Sequence, residues 1–264
     1  MNDSMFPDMF EIFREKELEE GSSRAPASDS ERIFSVSIGG SIIVDDKPNT
    51  ALIAKIAGSI NSLFNEGCRF VLVVGGGKVC RNYVAAAKSL GANNFFQDEI
   101  GIAVTRINAA LLIQSLGNAS QAVMTKISEA GQVISAGKIP VFGGMLPGIT
   151  TDAVAALVAE SLNATFVNLS NVDGVYSSDP NENPRARFYP EVSYDRLISL
   201  VKLQESKPGQ NFIIDLPAAL ILKRSKIPAF FLNGNDLANF EAAIRGGEFR
   251  GTIVREIEEE AEDV

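Results

Sequence analysis

Three glycine turns and a pair of threonines mark where this chain could do chemistry. Gly39-Gly40-Ser41, Gly75-Gly76-Gly77 and Gly143-Gly144 each follow directly on a short apolar run. Beyond the third, within Ile139 to Glu160 (IPVFGGMLPGITTDAVAALVAE), a Pro-Gly loop delivers Thr150, Thr151 and Asp152 to the start of an Ala/Val/Leu-rich helix. A strand, a glycine loop and a helix N-terminus in that order point backbone N–H groups and the positive end of the helix dipole at one place, which suits an anion such as phosphate. Any single turn is equally well a tight turn and nothing more. Three together, each straight after a strand, favour phosphate. The spacing matches neither G-x-x-x-x-G-K-[ST] nor G-x-G-x-x-G, so P-loop kinases and dinucleotide dehydrogenases lose support. Histidine is absent. An alcohol acceptor generally calls for a base, whereas a phosphate monoester, with its second pKa at about 6, is already largely anionic at pH 7. Phosphate or carboxylate acceptors therefore fit.

The elements that must position these groups alternate along the chain. RIFSVSI, ending at Ile38, predicts a strand, and Asn49 to Glu66 a helix, with Leu52, Ile53, Ile56, Ile60 and Leu63 at helical spacing. Phe70 to Val74 repeats the strand, and Lys78 to Leu90 the helix. Further helices are expected at Asp98–Leu116, Ser128–Ala136, Tyr194–Leu203, Ile214–Ser225 and Leu237–Arg245. Further strands are expected at Ala122–Met124, Ile139–Phe142, Ala164–Leu169, Ala229–Leu232 and Gly251–Val254. NVDGVYSSDP from Asn171 reads as turns. Strands alternating with helices predict a three-layer αβα sandwich with a mostly parallel central sheet, and such sheets bind ligands beyond the carboxyl ends of their strands.

At 264 residues with 45% hydrophobic and 22% charged composition, the chain can bury a sizeable core. It has no apolar run long enough to span a membrane and no signal-peptide pattern at MNDSMFPDMFEIFREKELEE, so a cytoplasmic protein is expected. Cys68 and Cys80 lack metal or disulfide spacing and read as small buried hydrophobes. The net charge of −9 lies in the tails: residues 1–32 carry nine acidic and four basic side chains, residues 255–264 six and one, which leaves 18 and 19 in the body. The layout is therefore an acidic N-terminal extension (1–32), a neutral domain (33–254) and an acidic C-terminal tail (255–264), the tails solvated and mobile. Within the extension, Met5–Leu18 has the spacing of a short helix and Gly21–Ser30 that of a linker.

SIGGSII from Ser37, VVGGGKVCRNYVAAAKSLGA from Val73, DEIGIAVTRINAALLI from Asp98, the Ile139–Glu160 stretch, NVDGVYSSDP and IDLPAALILKRSKI from Ile214 together resemble the amino-acid-kinase superfamily. TRINAALL with MLPGITTDAVAA is most similar to its archaeal-type uridylate-kinase branch. The resemblance covers roughly residues 32–254. It implies the carbamate-kinase-like fold, an acceptor lobe (33–150) that binds UMP and a donor lobe (151–254) that binds ATP. The implied reaction is reversible transfer of the γ-phosphoryl group to UMP in pyrimidine nucleotide synthesis. It also implies a homo-oligomer, commonly a hexamer, with no nucleic-acid or membrane partner.

Carried over residue by residue, the resemblance places Gly39, Gly40, Gly76 and Gly77 at the transferred and acceptor phosphates, Gly40 and Gly76 among the catalytic groups. Arg81 would grip the UMP phosphate, and Asp98 would accept from the ribose hydroxyls, with a helix N-cap as its competing role. Thr150 and Thr151 would touch the uracil and acceptor phosphate, and Asp152 would orient catalytic groups. Ser41, Asn171, Asp173, Tyr176, Asp179 and Pro180 resemble the ATP-holding residues. Asp215 matches an aspartate near the nucleotides, or else a plain N-cap; Thr105 and Arg106 stand between a subunit contact and a phosphate contact. Many kinases of the superfamily carry a lysine where this chain has Ser37, a change that occurs within the archaeal uridylate branch, and relatives often carry another at about Leu220; Lys78 would supply the catalytic positive charge instead, with Lys223 the second candidate. Mg²⁺ is expected through the ATP phosphates and water, with no metal ligand from protein side chains. A carboxylate kinase, or a non-catalytic nucleotide- or oxoanion-binding storage protein, is the alternative on the same scaffold.

Overall fold

β-branched strands alternating with amphipathic helices fold here into layers. The structure, a computed structural model, describes residues 32–205 and 213–257. The expected helix at Met5–Leu18, the linker at Gly21–Ser30 and the end of the acidic tail (258–264) lie outside the described residues. In chain order the first half runs β1 (Ile33–Ile38), α1 (Gly40–Ile43), α2 (Thr50–Asn65), β2 (Arg69–Val74), α3 (Gly77–Ser89), α4 (Asn94–Ser115), α5 (Ala130–Ser135) and β3 (Val141–Phe142). The second half runs α6 (Thr151–Leu162), β4 (Thr165–Ser170), β5 (Val175–Tyr176), β6 (Phe188–Tyr189), β7 (Glu191–Val192), α7 (Tyr194–Glu205), α8 (Leu216–Arg224), β8 (Ala229–Asn233), α9 (Leu237–Arg245) and β9 (Thr252–Val254).

The central sheet has the order β3-β2-β1-β4-β8-β9-β7. β3, β2, β1, β4 and β8 are all parallel, so their carboxyl ends share one edge. β9 runs antiparallel to β8, and β7 pairs parallel with β9, so the sheet is mostly but not wholly parallel. One face of β1 presents Phe34, Val36 and Ile38 to the buried sides of α2, α4 and α9. On the other face α6, α7 and α8 cover Val71, Val73, Phe142 and Phe166. Phe166 is fully buried, and truncating it to Ala would cost about 3–5 kcal/mol.

α6 is apolar on nearly every side, which places it inside the fold rather than on its surface. Its alanines let it lie close on β1, where Ser35 Oγ donates to Ala155 O at 2.7 Å. α9 runs over the residues that the sequence predicts, because Asp236 caps its first turn and Gly246, at φ 82°, ends it.

Three expectations are corrected. Ala122–Met124 is not a strand: it contributes one bridge, Met124 to Phe142. α4 begins at Asn94, four residues before Asp98, since Asn93 caps it by accepting from Phe96 N at 3.0 Å. The turn-rich segment from Asn171 contains β5, which pairs antiparallel with β6 in a separate two-stranded sheet.

Candidate active site

The first two glycine turns lie against each other at the carboxyl edge of β1 and β2. Gly39 N donates to Leu169 O at 2.8 Å and Gly75 N to Ile38 O at 2.9 Å, so each turn leaves its strand in ladder geometry. A β-carbon on Gly40 would collide with the backbone nitrogen of Gly77 and sit 2.6 Å from that of Gly76, and Gly77 has φ +69°. Only glycine permits this approach. Asn108 of α4 donates to Gly75 O at 2.9 Å and Gly76 O at 3.1 Å, fixing the second turn from the side. The carbonyls are thereby tied back, while the amides of Gly40, Ser41, Gly76 and Gly77 make no hydrogen bond among the described residues. Arg81 lies one turn into α3, exposed and without an ion pair among those residues.

The third turn is different, and the expectation of free amides there is corrected. Gly144 N donates to Thr105 Oγ1 at 2.7 Å, and Thr105 Oγ1 donates to Ile102 O at 2.7 Å. A β-carbon on Gly143 would sit 2.8 Å from Thr105 Oγ1 and 2.9 Å from Arg106 N. Gly143-Gly144 thus exists so that α4 can pack on it. Arg106 Nε adds a bond to Gly144 O at 3.1 Å. Thr105 is buried and fully engaged, which leaves it no hydroxyl for a ligand.

Past this turn, Asp98 Oδ2 accepts from Gly148 N at 2.8 Å, so Asp98 steers the 145–149 loop instead of capping its helix. Cys80, Asp98, Leu146, Ile149, Thr150 and Thr151 are among the residues that line a cleft of about 470 Å³. Thr150 caps α6 by accepting from Ala153 N at 3.1 Å and donates to the carboxylate of Asp215. Asp215 caps α8 through Ala218 N at 2.8 Å. Two helix N-termini therefore meet through one threonine and one aspartate, and Asp215 fills the N-cap role and the position beside Thr150 at once.

Asp152 turns inward from the head of α6. Its Oδ1 accepts from Ser37 Oγ at 2.6 Å and from Asn168 Nδ2 at 3.2 Å. Ser37 and Asn168 are paired neighbours on β1 and β4, so both reach the same face. Burial pushes the Asp152 carboxyl from its ordinary 3.8 up to about 6; the Ser37 bond opposes this, the nearby Asp215 charge adds to it, and the Asn168 bond opposes it. Asn168 Oδ1 is buried and has no hydrogen-bond partner among the described residues. Sequence reasoning singles out neither Asn108 nor Asn168, although Asn168 is a lone amide inside an otherwise apolar strand, a signal in itself.

The candidate lysines stand apart from this cluster. Lys78 Nζ pairs with Asp46 at 2.8 Å and Asp45 at 3.8 Å on the loop after α1, and the Asp46 bond pushes its amine upward. Lys223 pairs with Asp195 at 2.6 Å in the last turn of α8, about 12 Å along the axis from the Asp215 end. Lys223 is thereby removed from the junction, and Leu220 is half exposed between the two ends.

On the β4 side, Ser170, Asn171, Tyr176, Asp179 and Pro180 line a second, smaller pocket. Tyr176 packs on Phe188 with ring centroids 5.2 Å apart. Asp179 Oδ1 accepts from Asn181 N at 2.9 Å, shaping the loop beyond the pocket. Asp173 departs from the expected role: it accepts from Asn233 Nδ2 at 3.0 Å and pairs with Arg250 at 2.8 Å, clamping the loop from behind the pocket. Ser41 is exposed in the first turn of α1. Among the described residues no group of three or more His, Cys, Asp or Glu is arranged around a metal, and no helix is long and apolar enough to cross a membrane.

Two pockets on one sheet edge, separated by two backbone turns and three helix N-termini, define an α/β protein built to bring two anionic ligands together. Residues 33–233 match the model of the amino acid kinase family. Uridylate kinase of Thermococcus sibiricus is 42% identical over 219 residues, 82% of this chain and 96% of that protein. Uridylate kinase of Methanocorpusculum labreanum is 41% identical over 221 residues, 83% and 94% of the two chains. The crystal structure of uridylate kinase from Archaeoglobus fulgidus superposes with a TM-score of 0.75 at 38% identity, covering 84% of this chain and 99% of that one. The chain belongs to the amino acid kinase family, in its uridylate-kinase branch.

Proposed function

We propose that this protein is a UMP kinase, transferring the γ-phosphoryl group of ATP to UMP to give UDP and ADP. The observation that carries the reading is the cleft between Asp98 and Thr150–Thr151, two of whose lining residues, Cys80 and Thr105, lie against Gly76 of the second glycine turn. In this reading residues 33–150 form the acceptor lobe and 151–254 the donor lobe. UMP lies in the cleft with its ribose on Asp98 and its phosphate on Arg81 and Thr151, and ATP enters through the pocket of Asn171, Tyr176, Asp179 and Pro180.

An acceptor phosphate is already anionic and needs no base, which agrees with a site that has no histidine. What the residues must supply is alignment and positive potential, because charge in the transition state spreads over several oxygens. The glycine amides and the N-termini of α3, α6 and α8 supply both. Mg²⁺ would enter with the ATP phosphates and neutralise them. The oxygens of Asp152 and Asn168 are of the hard type that suits that ion, and Asn168 Oδ1 has no hydrogen-bond partner among the described residues. The reading makes the protein a cytoplasmic homo-oligomer in pyrimidine nucleotide supply, with a hexamer as the family expectation.

A specific observation favours the second reading, a non-catalytic nucleotide-binding protein: both candidate catalytic lysines are bound to carboxylates, Lys78 to Asp46 and Lys223 to Asp195. Incubating the protein with Mg-ATP and each nucleoside monophosphate separates the two. UDP with stoichiometric ADP supports the kinase; nucleotide binding without any diphosphate overturns it.

A further inference from the structure

We infer that the reverse face of the β5–β6 hairpin, built on Arg187, Tyr189 and Arg196, is the binding surface for the chain's own acidic segment 258–264. β5 and β6 pair Val175 with Tyr189 and Tyr176 with Phe188, so alternate side chains leave on opposite faces. Tyr176 and Phe188 pack on each other on the face that meets the donor pocket. Tyr189 points the other way and carries two guanidiniums over its ring, Arg187 at 5.4 Å and Arg196 at 5.5 Å from the centroid. Arg196 also donates to the Tyr189 hydroxyl at 3.1 Å. Two like charges are thus gathered on one ring. Unlike Arg224, Arg245, Arg250 and Arg255, neither has a carboxylate partner among the described residues.

The acidic groups nearby are already taken: Glu191 by Arg255, Asp195 by Lys223 at 2.6 Å and Glu256 by Lys226 at 2.7 Å. Cation–π attraction gathers the two guanidiniums but leaves their charge without a counterion, and guanidinium forks suit carboxylates. The segment 258–264, EEEAEDV, carries five acidic side chains and no basic one, and it lies beyond the described residues. Its point of departure is favourable. Glu256 and Ile257 line a cavity with Ser193, Tyr194 and Asp195, the three residues that lead directly into Arg196. Seven extended residues reach up to about 23 Å. Because the segment is tethered, its local concentration is on the order of millimolar, so individually weak exposed pairs suffice to seat it. A hairpin with strands of two residues is marginal by itself. Carboxylates held across its arginines would steady it and, through it, the Tyr176 side of the donor pocket. That consequence for ATP rests on the kinase reading; the contact itself does not.

A carbodiimide joins lysine, but not arginine, to a carboxylate. The experiment is therefore zero-length carbodiimide cross-linking of the full chain carrying Arg187→Lys or Arg196→Lys, read by peptide mass spectrometry on an equal mixture of isotope-labelled and unlabelled protein. The expected result is an amide bond within one chain between position 187 or 196 and a carboxylate of the 258–264 segment. Its yield should fall about 5-fold or more in roughly 0.5 M salt, where the screening length shrinks to about 4 Å. Thermal unfolding verifies that each variant is folded. Failure to find that link, or finding it only between labelled and unlabelled chains, overturns the surface; so does a yield indifferent to salt. Deleting 258–264 should raise the KM for ATP about 2- to 5-fold and leave that for UMP within about 2-fold, as expected for a few exposed ion pairs. The same deletion in an Arg187→Ala, Arg196→Ala background should change neither. An unchanged KM for ATP overturns the hold on Tyr176. A protein that makes the link but no UDP keeps the surface and sinks the kinase, whereas UDP without the link sinks the surface alone.

Discussion

Replacing Asp152 by asparagine should make the protein more stable at pH 8 than at pH 5 relative to wild type, because the native fold holds this carboxylate against its preference. Burial raises its pKa from 3.8 to about 6, which corresponds to about 3 kcal/mol of destabilisation when the group is fully ionised. The sign follows from proton binding. Between the two pKa values the native state binds more protons than the unfolded state, so stability falls as pH rises, and the penalty is complete above pH 6 to 7. From pH 8 down to pH 5 the wild type should regain about 1.4 kcal/mol at this group. The amide that replaces the carboxyl cannot titrate, and ionisable groups that do not interact with Asp152 cancel in the difference; Asp215, whose charge adds to the Asp152 shift, is the neighbour that does interact. For a chain of this size the relative shift is about 3–6 °C in Tm. The assay is paired thermal or urea unfolding in EDTA at pH 5, 6, 7 and 8, which stays above the pI of about 4.7. A wild-type-to-variant difference that is flat across this range would refute the argument, whatever its size, since a lost Ser37 hydrogen bond alone changes stability without a pH slope.

Gly40→Ala should lower UDP formation at least about 100-fold, because its methyl group would force apart the two glycine turns, and displacements near 1 Å suffice for such losses; single-turnover rates check it. Arg81→Ala should raise the KM for UMP roughly 10- to 100-fold and leave that for ATP within about 2-fold, in line with loss of a charge-assisted bond; equal effects on both would remove Arg81 from the acceptor side. Thr105→Val should cost about 1–3 kcal/mol in urea unfolding, since it leaves the buried Gly144 N–H without its acceptor, while Thr105→Ser should restore most of it.

The elements are legible wherever local signals agree. α2 and α9 carry an Asn or Asp cap, an apolar stripe and a terminating glycine, and they lie within a residue of expectation. The start of α4 is not, because Asp98 is as good a cap as Asn93, and Phe95 and Phe96, both largely exposed, give the first turn no periodic core face. The β5–β6 hairpin is hidden because its strands are two residues each, shorter than any pattern. At the site, the glycine turns and Thr150–Asp152 stand out by composition, but their division of labour does not. Which glycines open toward a ligand and which admit a helix depends on what lies across from them. The pairing of Ser37 with Asn168 is set by the register of strands more than a hundred residues apart in sequence.

That division of labour gives α4 a role that composition does not suggest. Asp98, Thr105 and Asn108 are seven and three residues apart, so they lie along one face of the helix over about 15 Å. Asp98 bonds to Gly148 N, Thr105 to Gly144 N and Asn108 to the carbonyls of Gly75 and Gly76. One rigid element therefore spaces the second glycine turn, the third glycine turn and the loop leading to Thr150. Loops that must hold a phosphate within a few tenths of an ångström are poor at ordering themselves, and a helix whose polar groups bond to their backbones removes that freedom before the ligand arrives. The Ala109 and Leu112 side chains, buried against β2 and β3, fix the depth of the same helix. The TRINAALL segment is thus the scaffold of the acceptor site more than its lining: its threonine and asparagine are spent on loop backbone, and the groups left to meet a ligand are the amides and Arg81 that this bonding leaves free.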